Sequence, residues 1–215
     1  MNLYNIDQLK LMSRGDDEEE DPEEEKSITE KPGTLFLKKQ EELFFKNRSI
    51  YFWGQVDDKS AKEAVTKLLL LDADKPGKEI KFFINSPGGS VISGMVVYDV
   101  MKMIKSPVTT ICMGFAASMG SIMLAAGEKG KRFIFPHGEV LIHQPLFGSY
   151  FQGVSADLEI HAVQIQKTKE MGAQILSEAS GQSYEKVLTD IERDYHMDAK
   201  EAIEYGLVDK IIDKL

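Results

Sequence analysis

The chain is predicted to be an α/β protein with a parallel sheet and helical crossovers. Three observations predict this. From residue 49 onward, short β-branched and aromatic runs alternate with helical patterns. Glycine and proline punctuate the changes between them. With 215 residues the chain is long enough for one domain with a real hydrophobic core.

Taken in order, residues 1 to about 33 are expected to form a mobile arm, interrupted by Gly15, Pro22, Pro32 and Gly33. The body, residues 34–215, is expected to be a single domain. Ser49 to Trp53 reads as a strand, and the helix from about Asp58 to Leu71 has Asp57 as its N-cap. Ile80 to Ile84 is the next strand and Ser90 to Lys105 the next helix, ended by Ser106-Pro107. A strand over Val108 to Met113 leads to a helix over Met119 to Ala126, stopped by Gly127. Lys131 to Phe135 and Val140 to His143 are strands separated by Pro136-His137-Gly138.

A long helix is expected from about 155 to 179, closed by Ser180-Gly181, and it would extend about 37 Å. Leu158, Val163, Ile165, Ile175 and Leu176 on it need burial, against another copy or along the chain's own sheet. Helices near Tyr184 to Ile191 and Ala199 to Tyr205, then a strand near Leu207 to Ile212, complete the body.

The formal net charge of −9 has a location. Residues 16–25 carry nine carboxylates and no base, which accounts for all of it and leaves the rest near neutral. Such a run reads as a solvated segment, and no basic face suggests nucleic acid as a partner. Cys112 is the only cysteine, so no intrachain disulfide can form, and its apolar surroundings suggest a buried thiol. Met1 to Lys10 lacks both a basic start and an apolar stretch, so the cytoplasm is the expected location. The uncharged stretch from Ser106 to Gly127 is long enough to cross a bilayer. Its glycines, serines, threonines and proline fit a buried strand and helix better.

The chemistry-bearing segment is Gly114-Phe115-Ala116-Ala117-Ser118-Met119-Gly120-Ser121. Its small residues let a strand turn sharply into a helix, leaving Ser118 at the helix start. A serine hydroxyl becomes a nucleophile when an imidazole takes its proton and a carboxylate holds that imidazole in the right tautomer. His143 and Asp194 supply those groups. The Met119 N–H and the Gly89 N–H, from Asn85-Ser86-Pro87-Gly88-Gly89-Ser90, are the expected oxyanion donors. Rivals are Ser86, Ser90 and Ser121 for the serine, His196 for the base, and Asp190 and Asp198 for the acid. One cysteine and no spaced histidine pair make a zinc site an unattractive reading, so no metal is expected.

These residues resemble the proteolytic subunit of the Clp ATP-dependent protease. The resemblance runs from about Tyr51 to Asp213 and rests on Phe83 to Gly89, Ile111 to Gly114 with Ala116 to Gly120, Gly130 to Phe133, Ile142 to Pro145, Asp157 to Ala162, Glu192 to Asp194 and Glu204 to Asp209. It implies a crotonase-like spiral of strand-strand-helix units with a protruding long helix for oligomerisation, and a serine endopeptidase that degrades unfolded proteins to short peptides.

Residue by residue, the resemblance makes Ser118 the nucleophile, His143 the base, Asp194 the orienting acid, and Gly89 and Met119 the oxyanion hole. An extended substrate would add as a strand between Gly89-Ser90-Val91 and the stretch after His143, including Gln144 and Pro145. Further implications are two stacked heptameric rings, homomeric or mixed with a related subunit, with Arg193 coupling ring contact to triad alignment. No cofactor is implied for the peptidase itself. ATP is used by a partner AAA+ unfoldase of ClpX, ClpA or ClpC type, docking at Leu69, Phe83, Met103, Phe133 and Phe135, which are expected to cluster as exposed groups. Lys81 stands where many relatives carry tyrosine, and the acidic arm is longer than usual. Neither nucleic acid nor membrane is an expected partner. Two other readings remain: a structural or regulatory subunit of a mixed ring, and an acyl-coenzyme A hydratase or isomerase of the same fold.

Overall fold

The computed structural model describes residues 32–146, 148 and 153–214. The acidic run and nearly all of the expected arm lie outside them. A first helix, α1 (Pro32–Lys46), occupies a stretch for which the sequence suggests no element. Pro32 and Gly33 look like breakers, but proline is well placed as the first residue of a helix, where its missing N–H has no partner to lose.

Residues 38–215 form one compact unit. Its elements are β1 (Ser49–Trp53), α2 (Asp58–Asp74), β2 (Ile80–Ser86), α3 (Val91–Met103), β3 (Val108–Ala117), α4 (Met119–Ala125), β4 (Arg132–Ile134), β5 (Glu139–Ile142), α5 (Ser155–Ser180), α6 (Tyr184–Asp190), β6 (Tyr195–Asp198), α7 (Ala199–Tyr205) and β7 (Lys210–Ile211). Asp57 is the N-cap of α2 in a reciprocal capping box with Ser60, as its sequence suggests.

The sheet runs β1-β2-β3-β4-β7, and β5 pairs with both β3 and β6. The strand β3 forks. Its Thr110–Cys112 portion pairs with Arg132–Ile134, and Phe115–Ala117 pairs with Glu139–Leu141. Between the two portions the register against β2 slips, and the Asn85 Oδ1 fills the irregularity by accepting from the Phe115 N–H at 3.0 Å. The fork turns the chain out of the first sheet row and carries Ala117 toward the site.

One expectation is corrected here. The sheet is mixed, because β6, absent from the sequence reading, pairs antiparallel with β5. Only Met197 of β6 is buried, so four residues carry too little apolar pattern to be legible.

The core lies between the sheet and α2, α3 and α4, with Phe82, Ile84, Leu68, Met123 and Leu124 fully buried. Cys112 is buried there, as expected, and burial pushes its thiol up to about 12. The uncharged stretch 106–127 is indeed a strand followed by a buried helix. Among the described residues no helix is long and apolar enough to cross a membrane.

The helix α5 buries only Ala173 and Leu176 completely. Ile175 packs partly on the core, while Leu158, Ile160 and Val163 are exposed. Its first half therefore finds no apolar cover within the described chain.

Candidate active site

Ser118 sits between the end of β3 and the start of α4, with φ 53° and ψ −120°. That region is costly for a residue with a Cβ, and its surroundings hold it there. The Ser118 N–H donates to the Leu141 carbonyl at 2.9 Å. The Ser118 carbonyl accepts from the Ser121 hydroxyl at 2.6 Å. Gly88 presses from the other side with φ 88°. A Cβ there would lie 2.6 Å from Ser118 Cβ and 2.7 Å from the Ala117 carbonyl. A serine at a strained strand-to-helix turn is also the geometry of the nucleophile elbow in α/β-hydrolases.

The neighbouring loop is held by a short parallel bridge. The Val56 N–H donates to the Gly88 carbonyl and the Ser90 N–H to the Val56 carbonyl, both at 2.8 Å. The intervening Gly89 N–H stays outside this ladder. Met119 opens α4, where the first amides have no intrahelical acceptor. Ser90 caps α3 through the Ser93 N–H, and the Ser93 hydroxyl donates to Asp58.

The antiparallel β5–β6 pair accounts for the meeting of two residues 51 positions apart. Its register sets Leu141 opposite His196 and Ile142 opposite Tyr195. One step further along, His143 faces Asp194. Their side chains meet, His143 Nδ1 lying 3.1 Å from Asp194 Oδ1. An ionised carboxylate can only accept, so the imidazole tautomer that satisfies this contact carries its proton on Nδ1.

Ser118, Met119 and His143 line one cleft of about 50 Å³, together with Val91 and Pro145. Its remaining walls are largely apolar, with Met95, Ile122, Met171 and Leu176 among them. Three flexible methionines let so narrow a cleft widen around an entering side chain. No Ser118–His143 hydrogen bond occurs among the described residues.

Gln144, expected to contact substrate, has its N–H donating to the Ile191 carbonyl at 2.6 Å and its side-chain amide to the Glu192 carbonyl at 2.9 Å, so these donors are engaged by the chain itself. Glu192 in turn pairs with Lys169 of α5, and the Lys169 ammonium holds its carboxyl below the usual carboxylate range.

Each rival residue has other partners. Ser86 is buried and accepts from the Gly88 N–H, and Ser121 is bonded to the Ser118 carbonyl. His196 pairs with Glu139. Asp190 accepts from Tyr205 at 2.8 Å and Lys186 at 2.5 Å, while Asp198 caps α7. His137 is exposed in its turn. Among the described residues no cluster of three His, Cys, Asp or Glu side chains could hold a metal ion.

The residues expected to dock a partner differ from one another in exposure. Leu69 and Met103 are exposed, Phe133 and Phe135 are half-buried, and Phe83 is buried. The cause is Tyr51, which stacks on Phe83 at 4.6 Å with rings 5° apart. Strand register places Tyr51, Phe83, Ile111 and Phe133 in one row across the sheet. Tyr51 lies in a strand legible in the sequence, but only the register reveals this contact. Arg193 is exposed and donates to the Glu192 carbonyl.

Comparison with known families gives a match to the model described as Clp protease, over residues 36–215.

Proposed function

The chain belongs to the Clp protease family, and from that premise we propose that it is a serine endopeptidase using Ser118, His143 and Asp194. Its mixed α/β architecture is consistent with the crotonase-like fold of that family. The observation that carries the reading is the His143–Asp194 contact beside a cleft that the imidazole shares with a backbone-strained Ser118.

In the proposed reaction His143 Nε2 takes the Ser118 hydroxyl proton as Ser118 Oγ bonds to the scissile carbonyl carbon. The carbonyl oxygen becomes negative and is met by the Gly89 and Met119 N–H groups. His143 returns the proton to the amine as the C–N bond breaks, leaving an acyl-enzyme. Water then repeats the sequence and releases the acid. Asp194 stabilises the transient imidazolium and does not itself take the proton. A Ser118–His143 hydrogen bond forms as substrate fills the cleft. Substrate pairs as a strand along Gly89-Ser90-Val91 and the backbone near Pro145, with the Gln144 donors excluded.

The exposed apolar half of α5 supports an oligomer, which we propose to be two stacked heptameric rings enclosing the sites, with Arg193 at the ring contact. An AAA+ unfoldase would feed unfolded chains into this chamber at its own cost in ATP, docking over Leu69, Met103, Phe133 and Phe135, with Phe83 reached only if Tyr51 moves. No cofactor enters the peptidase step.

A fluorophosphonate probe tests the chemistry. The wild-type chain is expected to be labelled at Ser118, and Ser118→Ala to lose both labelling and peptide cleavage, the latter by more than about a thousandfold. Labelling that survives in Ser118→Ala would overturn the assignment.

A further inference from the structure

Asp194 is 65% exposed in its side chain. Among the described residues its carboxylate has no hydrogen bond other than that to His143. Its own contacts therefore do not fix its aim, and the backbone of 191–194 must. Beyond its own turn bonds, that segment is tied to distant parts of the chain by three contacts. The Gln144 N–H takes the Ile191 carbonyl, the Gln144 side-chain amide takes the Glu192 carbonyl, and the Glu192 carboxylate meets Lys169. Gln144 directly follows His143, so two of these bonds tie the segment to the base. The third ties it directly to α5, a helix that also packs on α6 just ahead of the segment.

We infer that Lys169, through its ion pair with Glu192, is a positioning residue that sets the angle at which Asp194 meets His143. This rests on the reading of Ser118, His143 and Asp194 given above. The Lys169 side chain is only 14% exposed, so its ammonium is confined between the cleft wall and Glu192. An exposed ion pair contributes little to stability. Its effect here is directional, since a small displacement of an orienting group costs far more in rate than in folding. Because the anchor lies on α5, a shift of that helix would reach Asp194 through this side chain as well as through the packing of α5 on α6.

Lys169 also lines the cleft, whereas Glu192 does not. This asymmetry separates positioning from substrate contact. In the full-length assembled protein, hydrolysis of a short fluorogenic peptide is measured for Lys169→Met, Glu192→Gln, the double variant, Lys169→Arg, and the reversed pair Lys169→Glu with Glu192→Lys. Each single variant is expected to lower kcat by about tenfold with KM changed by less than about twofold. The double variant should lose no more than either single one. Lys169→Arg should retain most of the rate, and the reversed pair should recover part of it.

A wild-type kcat in Glu192→Gln, beside a raised KM in Lys169→Met, would overturn the inference by making Lys169 a wall contact only. Additive losses would also overturn it. If either single variant fails to assemble, the reversed pair decides: recovered assembly and rate support the ion pair, and continued loss sinks it. Failure of the wild-type chain to take the fluorophosphonate label would instead sink the catalytic reading itself.

Discussion

At Gly88 the chain has no room for a side chain. A Cβ would overlap both Ser118 Cβ and the Ala117 carbonyl, at a φ of 88° that disfavours any other residue. Gly88→Ala is expected to destabilise the protein by about 1–3 kcal/mol. It should also reduce fluorophosphonate labelling of Ser118, because relief of the clash must move the strained turn. Thermal melting and labelling rate on the same sample check both effects, and a variant with unchanged labelling would show that the turn tolerates displacement. The same scale explains why Ser118 stands out in the sequence as a candidate: small residues surround a hydroxyl at a strand-to-helix boundary.

At the scale of elements, the C-terminal end of the sheet is locked by one buried ion pair. Arg132 of β4 is almost fully buried and meets Asp209, just ahead of β7, in a two-point contact at 3.0 and 2.6 Å. It also reaches the Ala179 carbonyl near the end of α5 at 2.8 Å. Burial pushes the Asp209 carboxyl up, but the Arg132 side-chain and main-chain donors, with the Gly130 N–H, outweigh it and hold the group below its ordinary 3.8. A carboxylate held low contributes stability at pH above its unfolded value and loses it as pH falls through the folded one. Asp209→Ala is therefore expected to cost about 3 kcal/mol at pH 7, since it strands a buried guanidinium. Its melting-temperature deficit against wild type should shrink once pH drops below about 3.8. A deficit constant from pH 7 to pH 3 would contradict the ion-pair account.

Elements also show what periodicity can and cannot reveal. The strand β1 and helices α2 to α4 were readable because each has a long enough pattern, a cap or a breaker. The helix α1 was hidden by reading Pro32 as a stop when it is a start. The strand β6 was hidden because it owes its pairing to β5 and buries one side chain. Yet the β5–β6 pair brings Asp194 to His143, so both residues are visible as candidates in the sequence while the route that joins them is not.

For the whole molecule, charge and shape point in different directions. The described body is near neutral and carries a long helix, α5, whose first half leaves Leu158, Ile160 and Val163 exposed. The nine carboxylates of residues 16–25 would be multiplied by each copy in an assembly. Deleting residues 16–25 is expected to speed degradation of acidic unfolded substrates relative to basic ones, with the contrast fading as salt rises toward about 1 M. Equal rates for both substrate types before and after deletion, with unchanged unfoldase affinity, would sink that electrostatic role.

The linear chain by itself determined the α/β class and most element positions, and it singled out Ser118, His143 and Asp194 as candidates. Local patterning and side-chain chemistry are written residue by residue. Tertiary structure alone decided the antiparallel pairing that sets His143 against Asp194, the covering of Phe83 by Tyr51, and the diversion of Gln144 and Lys169 to the 191–192 segment. These contacts join residues 23 to 51 positions apart. Strand register and helix packing choose among many sterically possible partners at such separations, and no short-range pattern records the choice.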